Sequence, residues 1–166
     1  MIQCLPVGAQ SADDWKVCKN ADLSVEPEVA IKACDKIQNI DGLKKQDRVL
    51  AIFYFARGFE DKKDYDRALI EYSQVVELDP GLAEAYIGRG TAYVEKGEFD
   101  RGIREYTRSL EIRKRVSAFY GRGRAYKKKG ETAKAVADYR AALALDPNHE
   151  TAKNSKAALK ELGATH

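Results

Sequence analysis

The stretch from Val49 to His149 decides the fold, because one pattern of residues occurs in it three times. The blocks are 49–82, VLAIFYFARGFEDKKDYDRALIEYSQVVELDPGL; 83–115, AEAYIGRGTAYVEKGEFDRGIREYTRSLEIRKR; and 116–149, VSAFYGRGRAYKKKGETAKAVADYRAALALDPNH. The period is about 34 residues, a length typical of solenoids in which each repeat is one supersecondary unit.

Five kinds of position recur together in the blocks, and this joint recurrence makes the repeat a strong signal. An apolar or aromatic residue near the start is followed by a very small residue, an aromatic residue, a second small residue and a tyrosine. The first and third blocks end in Leu-Asp-Pro, at 78–80 and 145–147. The recurring residues are Ile52, Tyr86 and Phe119; Ala56, Gly90 and Gly123; Phe59, Tyr93 and Tyr126; Ala68, Gly102 and Ala135; Tyr72, Tyr106 and Tyr139.

The pattern resembles the tetratricopeptide repeat over residues 49–149. The resemblance implies an all-α fold, a right-handed superhelix of stacked helix-turn-helix pairs with a C-terminal capping helix. The residues agree, since apolar side chains spaced by three and four predict two amphipathic helices per block. Turns are predicted at 62–64, 96–98 and 129–131, and Pro80 and Pro147 are expected to stop the second helices.

The remaining chain divides around these repeats. Residues 1–12 are interpreted as a signal-peptide remnant or a disordered tail, and 13–48 as an N-terminal helical hairpin with helices at 12–19 and 27–40. The three repeats are 49–82, 83–115 and 116–149. Residues 150–166 form a capping helix, predicted at 150–162, and a tail.

Two cysteines of the hairpin occupy positions that should face each other. When the hairpin is aligned with the first repeat so that Ala30 matches Ala68, Cys34 corresponds to Tyr72 and Cys18 corresponds to Ala56. A disulfide would close a loop of about 16 residues and contribute roughly 3 kcal/mol. The alternative is two ordinary buried thiols.

The N-terminal sequence bears on the cellular compartment. Val7-Gly8-Ala9 fits a cleavage site, although no basic start and no full apolar run precede it. The hairpin with Asp14-Trp15, Cys18 and Cys34 is similar to that of exported bacterial tetratricopeptide proteins, which implies a periplasmic or secreted protein; the alternative is cytoplasmic. Cys4 lacks the small residues that precede a lipidated cysteine, and no apolar run could span a membrane.

The composition provides few residues that could form a catalytic or metal-binding site. Charged residues make up 33% of the chain and the net charge is +3, yet the first repeat holds 4 basic and 7 acidic residues and the third 7 basic and 3 acidic. His149 and His166 are the only histidines, so no histidine-based catalytic or metal site is predicted. We therefore expect no enzyme activity, cofactor or metal.

The resemblance implies that an inner groove, lined mainly by the first helix of each pair, holds a peptide. Phe53, Ile87 and Tyr120 would form an apolar stripe on its floor; packing between neighbouring helices is an equal alternative. The predicted groove residues are Phe53, Arg57, Ile87, Thr91, Tyr120, Arg124, Lys127 and Lys128, with Leu50, Glu60, Asp61, Val94 and Glu95 beside them.

The family's clamp for a terminal carboxylate is missing from this sequence. Its lysine and asparagine positions correspond to Phe53, Arg57, Gly88, Ser117 and Gly121, and only Arg57 is a comparable donor. The expected ligand is therefore an internal segment of a partner protein, with an apolar anchor and acidic residues that approach the basic end of the groove.

Three function classes follow. The leading hypothesis is a non-enzymatic scaffold that binds a peptide or partner protein. The second is a self-assembling structural protein, and hence a homo-oligomer. The third, an anionic-polymer binder acting through 113–115 and 127–129, ranks last because acids are interleaved with these bases and the excess charge is small, so no nucleic-acid partner is expected.

Overall fold

The structure is a computed structural model that describes residues 7–19 and 25–164, with side chains from residue 12 onward. All regular elements in these ranges are α-helices, which confirms the predicted all-α class. They are α1 Val7–Lys19, α2 Pro27–Gln38, α3 Lys45–Asp61, α4 Tyr65–Leu78, α5 Ala83–Glu95, α6 Phe99–Ile112, α7 Val116–Lys128, α8 Thr132–Leu145 and α9 Glu150–Glu161.

The chain forms two compact units, Met1–Asp79 and Pro80–His166. The boundary follows the first repeat, so that repeat packs with the N-terminal hairpin. We call them the N-terminal and C-terminal units. No helix in the described ranges is long and apolar enough to cross a membrane.

In the N-terminal unit, α1 packs on α2, α2 on α3, and α3 on α4. α2 begins at Pro27, as predicted, because a proline at a first helical position forfeits no intrahelical bond. α1 begins at Val7, earlier than the expected Ala12. The apolar stretch of 4–7 lies outside the described residues except for Val7.

Two apolar clusters of described residues stabilise this unit. One surrounds the cysteines, and the other joins α3 to α4 at the recurring small and aromatic positions of the first repeat. Their buried members are Cys18, Ala33, Cys34, Ile37 and Ala51 in the first, and Ala56, Phe59, Ala68 and Tyr72 in the second.

In the C-terminal unit, α5 pairs with α6, α7 with α8, and α9 packs on both α7 and α8. The first helices of the pairs also contact each other in the order α5, α7, α9. We call the face that these three helices share the inner face. α9 therefore occupies the place that the first helix of another repeat would take.

Small residues sit where helices approach closely. A Cβ atom on Gly123 would lie 2.8 Å from a ring carbon of Tyr139, and one on Gly102 would overlap Val94. The glycine at 102, which costs roughly 1 kcal/mol of helix propensity, is therefore explained by the close contact of α5 with α6.

The three turns inside the repeats share one backbone geometry. Lys63, Gly97 and Gly130 have positive φ angles of 60°, 82° and 79°. In each turn the next N–H donates to a carbonyl five residues earlier, as in a Schellman motif: Asp64 to Phe59, Glu98 to Tyr93, and Glu131 to Tyr126.

The junctions between repeats differ. α4 and α8 end before Pro80 and Pro147, as predicted. The second repeat has no proline there, and extended backbone at Arg113 and Arg115 separates α6 from α7. The Arg115 guanidinium forms an ion pair with Glu84 on α5, which secures this junction.

Candidate functional site

The C-terminal unit has a pocket of about 480 Å³ on its inner face. It lies between α7, α8 and α9, and we call it the inner pocket. Its lining residues are Tyr120, Arg124, Lys127, Lys128, Tyr139, Asn154, Ala157, Ala158 and Glu161.

Helical spacing explains how the lining forms. On α7, Tyr120, Arg124 and Lys127 are separated by four and three residues, so they share one face. On α9 the lining residues follow the same rule, from Asn154 through the alanines to Glu161. Two parallel sets of side chains thus face the same cavity.

Aromatic rings form the apolar part of the inner pocket. The rings of Tyr120 and Tyr139 lie 5.8 Å apart between centroids. Burial is the main cause that raises the pKa of Tyr139 to about 12, so this hydroxyl stays protonated at neutral pH. Opposite them, Ala157 and Ala158 are short, which leaves room for an apolar side chain.

The cations of the inner pocket already have partners. Arg124 lies 2.9 Å from Glu95, Lys128 lies 3.8 Å from the same carboxylate, and Lys127 lies 2.6 Å from Glu161. Burial acts to lower the pKa of Arg124, but the hydrogen bond and the charge of Glu95 outweigh it and the net shift is upward. An incoming acid must therefore compete with these two glutamates.

The groove residues predicted on α5 do not line the inner pocket. Ile87 packs against a core cluster that includes Tyr106 and Ala125. The Thr91 hydroxyl lies 3.1 Å from the Ile87 carbonyl and 3.0 Å from the Tyr106 hydroxyl. Val94, which was expected beside the groove, is only 2% exposed.

The two predicted groove residues of the N-terminal unit contact aromatic rings. Phe53 is half-buried, with its ring centroid 5.9 Å from that of Tyr72. The guanidinium of Arg57 lies 5.9 Å from the ring centroid of Tyr54. Phe53 thus makes core contacts while part of it stays accessible. Its position is compatible both with the floor of a groove and with packing between neighbouring helices.

Sequence reasoning missed the contribution of α9. Its sequence predicts a cap, yet Asn154, Ala157, Ala158 and Glu161 form one wall of the inner pocket. Their spacing was a usable signal, but these residues are polar or small and do not stand out as a binding face.

At one position of the carboxylate clamp, residue 121, the ring of Tyr106 occupies the space that a clamp side chain would need. A Cβ atom on Gly121 would lie 2.5 Å from two ring carbons of Tyr106. A lysine or asparagine at 121 would therefore collide with this buried tyrosine. The packing of α6 against α7 therefore accounts for the absence of a donor at this one position of the clamp.

The predicted disulfide between Cys18 and Cys34 is confirmed. The Cα atoms are 4.8 Å apart, and the two residues are 2% and 0% exposed. The bond joins α1 to α2 within the cluster that contains Ile37 and the partly buried Trp15. Within the described ranges, no group of three metal-ligating side chains occurs.

Family models of the tetratricopeptide repeat match residues 54–114 and 116–149. The chain belongs to the tetratricopeptide repeat family. The two matches cover the three repeats except residues 49–53 and Arg115. Among curated protein sequences, none matches the chain at a significant level.

Solved structures with this fold are similar to the chain. The tetratricopeptide domain of Arabidopsis OM64 is 25% identical, with a TM-score of 0.65, over 71% of this chain and 98% of that domain. The second such domain of human RPAP3, in complex with an HSP70 peptide, is 21% identical, with a TM-score of 0.63, over 70% and 98%. MamA of Desulfovibrio magneticus, from residue 41 to its end, is 14% identical with a TM-score of 0.69, over 96% and 97%.

Proposed function

We propose that this tetratricopeptide protein is a non-enzymatic scaffold that binds a peptide or a segment of a partner protein on the inner face of its repeats. The observation that carries the proposal is the inner pocket, which combines an apolar wall with charged groups at its rim. The RPAP3 domain, a protein of the same fold, is in complex with a peptide, which supports this use of the fold.

The pocket suggests the chemistry of the ligand. An apolar side chain fits between the Tyr120 ring and the short Ala157 and Ala158, while Tyr139, which is 1% exposed, packs against Tyr120. Burial of such an anchor supplies most of the affinity, because the cations at the rim are already paired. An acidic residue of the ligand would exchange with Glu161 at Lys127.

The missing carboxylate clamp narrows the class of ligand. Of the five clamp positions only Arg57 carries a comparable donor, and Tyr106 occupies the space at position 121, so a terminal carboxylate has no matching set of donors. We infer that the ligand is an internal segment, bound through its side chains rather than through its C-terminus.

Site-specific crosslinking tests this proposal. A photoreactive phenylalanine analogue at Ala157, which lines the pocket, is expected to capture a partner from an envelope fraction. The same analogue at Ala144, an exposed residue of α8 that does not line the pocket, is the matched control. Equal capture at both positions, or no capture at Ala157, would contradict the proposal.

Substitutions supply a second test. Tyr120→Ala removes the apolar wall and should abolish capture at Ala157, whereas Arg124→Glu reverses a rim charge and should only weaken it. Circular dichroism must show unchanged helicity in both variants. Retained capture in folded Tyr120→Ala protein would exclude the inner pocket as the binding site.

We also propose that the protein works in an oxidising compartment, the periplasm or the cell exterior. A buried disulfide between two packed helices supports this location, because such bonds persist where thiols are oxidised. Cells quenched with acid and then alkylated under denaturing conditions without reductant should leave Cys18 and Cys34 unlabelled, because in unfolded protein only the disulfide protects them. Labelling of both residues would favour the cytoplasmic alternative.

A further inference from the structure

The tyrosine that recurs in every repeat has a hydrogen-bond partner in the first two repeats and none in the third. The Tyr72 hydroxyl donates to the Glu60 carboxylate at 2.6 Å, and the Tyr106 hydroxyl lies 3.0 Å from that of Thr91. The Tyr139 hydroxyl forms no hydrogen bond with any residue that the structure describes. The exception falls on the repeat that contributes most to the inner pocket, since α7 and α8 belong to it.

This hydroxyl opens into the inner pocket. Tyr139 lines the pocket although it is only 1% exposed. Among the described residues, the side-chain atoms that are fully enclosed without a partner are Oγ of Ser109 and Nε of Arg115, and the Tyr139 oxygen is not one of them. A buried hydroxyl without a protein partner is costly, and a ligand acceptor in the pocket would recover that free energy.

The positions that supply acceptors in the other repeats carry cations in the third. Glu60 precedes its tyrosine by 12 residues, and Thr91 precedes its tyrosine by 15. The same separations from Tyr139 lead to Lys127 and Arg124. Ammonium and guanidinium groups carry donors only, so neither can accept from a tyrosine. The third repeat therefore brings three donors to one pocket, which all three residues line.

Both cations can take a further acceptor. Arg124 is bound to Glu95 through Nη2, while its Nε and Nη1 bind no described residue. Lys127 is paired with Glu161, whose side chain is 67% exposed, and exposed pairs of this kind are weak. The lining holds three cations and one carboxylate, so its charge favours an anionic acceptor over a neutral one.

We propose that the Tyr139 hydroxyl is a specificity-determining donor of the inner pocket, which binds the side-chain carboxylate of an acidic residue next to the apolar anchor of the partner segment. The inference rests on the proposed function, since it names the ligand group that the same pocket selects. The carboxylate accepts from Tyr139 and replaces Glu161 at Lys127. Because burial raises the pKa of Tyr139 to about 12, the phenol remains a donor at neutral pH.

Three blocked peptides test this specificity on the full chain. Acetyl-Gly-Leu-Glu-Gly-amide carries an apolar anchor and a carboxylate, and its two analogues have glutamine or alanine in place of the glutamate. Saturable chemical shifts of the Ala157 and Ala158 amides report binding in the inner pocket. We expect the wild-type protein to bind the glutamate peptide about tenfold more tightly than the alanine peptide, with the glutamine peptide between them, because hydrogen bonds to ionised acceptors are the stronger ones.

Tyr139→Phe deletes only the hydroxyl. It should remove most of the preference for glutamate and leave the affinity for the alanine peptide unchanged. The matched control is Tyr106→Phe, which deletes a hydroxyl that does not line the pocket and should leave the preference intact. Glu161→Gln removes the internal competitor at Lys127 and should strengthen binding of the glutamate peptide.

Urea denaturation provides a second readout that a merely structural tyrosine would not give. Tyr106→Phe loses the contact with Thr91 and should lower the free energy of unfolding, whereas Tyr139→Phe loses no hydrogen bond within the protein and should not. Unchanged helicity by circular dichroism in each variant shows that altered binding is not a loss of fold.

The outcomes separate this inference from the proposed function. An unchanged preference for glutamate in Tyr139→Phe, or equal affinities of the wild-type protein for the three peptides, would overturn the inference and leave the pocket as a binding site. An equal loss of preference in Tyr106→Phe would overturn it as well. The absence of saturable shifts with all three peptides would contradict the proposed function itself.

Discussion

The guanidinium of Arg122 donates two hydrogen bonds to the carboxylate of Asp138, from Nε and Nη2 at 2.8 Å each. Its Nη1 donates a third, of 3.0 Å, to the Thr107 hydroxyl. One repeat earlier, Arg89 forms the same pair with Glu105 at 2.7 Å. This pair joins the first helix of a repeat to its second helix.

Removing Arg122 should destabilise the fold strongly. Asp138 is 5% exposed, so Arg122→Gln leaves a buried carboxylate without its charge partner. We expect the free energy of unfolding to fall by about 3 kcal/mol, measured by urea denaturation. The control is Arg108→Gln, which breaks an exposed pair with Glu111 and should cost far less.

The first repeat lacks this pair, and the contribution of Glu71 to the stability of the fold therefore depends on pH. Phe55 stands at the position of Arg89 and Arg122, and Glu71 at that of Glu105 and Asp138. Burial, followed by the charge of Asp35, raises the pKa of Glu71. Its ionised form is therefore less favourable in the folded state than in the unfolded state, so its penalty on stability appears as the pH rises through this pKa.

Glu71→Gln should consequently raise the free energy of unfolding at pH 7. At a pH well below the ordinary carboxyl value of 4.5, Glu71 is protonated in both states and the difference should vanish. Thermal unfolding of both proteins across this range measures the effect. Glu77→Gln, at an exposed position of the same helix, is the control; a Glu71→Gln gain that persists in acid would contradict the explanation.

The disulfide makes the stability of the N-terminal unit depend on reductant. The bond closes a separation of 16 residues, so its reduction should lower the free energy of unfolding by about 3 kcal/mol. Trp15 is the only tryptophan and packs on the cysteine cluster, so its fluorescence reports this unit. An unchanged urea midpoint after reduction would show that the bond contributes little.

Thiol counting provides the control for that experiment. The chain has three cysteines, and the bond occupies two of them. Under denaturing conditions without reductant, one thiol should react with a colorimetric reagent, and three should react after reduction. Three reactive thiols before reduction would contradict the disulfide itself.

The turn at Lys63 stores a small amount of strain that glycine would relieve. Lys63 has a φ of 60°, whereas the equivalent positions of the other repeats are Gly97 and Gly130. Lys63→Gly should raise the free energy of unfolding by about 1 kcal/mol, because a Cβ atom disfavours this conformation. The reciprocal change, Gly97→Ala, should lower it by about as much; opposite signs in urea denaturation would refute this explanation of the turns.

The repeat pattern was sufficient to predict the helices, because one apolar period recurs at fixed positions. It also predicted the Cys18–Cys34 bond, since Ala30 aligns with Ala68 and thereby places both cysteines. The pairing of Arg122 with Asp138 was not predicted. These residues are 16 apart on different helices, and nothing in the sequence distinguishes them from solvated charges.

The candidate site was predicted only in part, for a similar reason. Tyr120, Arg124, Lys127 and Lys128, which the resemblance to the tetratricopeptide repeat placed on the inner face, line one pocket. Their counter-charges come from Glu95 and Glu161, on other helices, and could not be assigned without coordinates.

The close contact of Gly121 with Tyr106 can be tested by adding one methyl group. A Cβ atom at 121 would lie 2.5 Å from ring carbons of Tyr106, which is 2% exposed and has its hydroxyl 3.0 Å from that of Thr91. The ring cannot move away without breaking this contact. Gly121→Ala should therefore lower the free energy of unfolding by about 2 kcal/mol, measured by urea denaturation.

A double-mutant cycle separates this collision from a general effect of alanine on α7. In a Tyr106→Ala background the ring is absent, so Gly121→Ala should cost nothing or stabilise the helix slightly, since alanine favours helix more than glycine does. The expected coupling energy is about 2 kcal/mol. Equal costs in both backgrounds would show that Tyr106 is not what excludes a side chain at 121, and the packing of α6 against α7 would then no longer explain the absence of a clamp residue at this position.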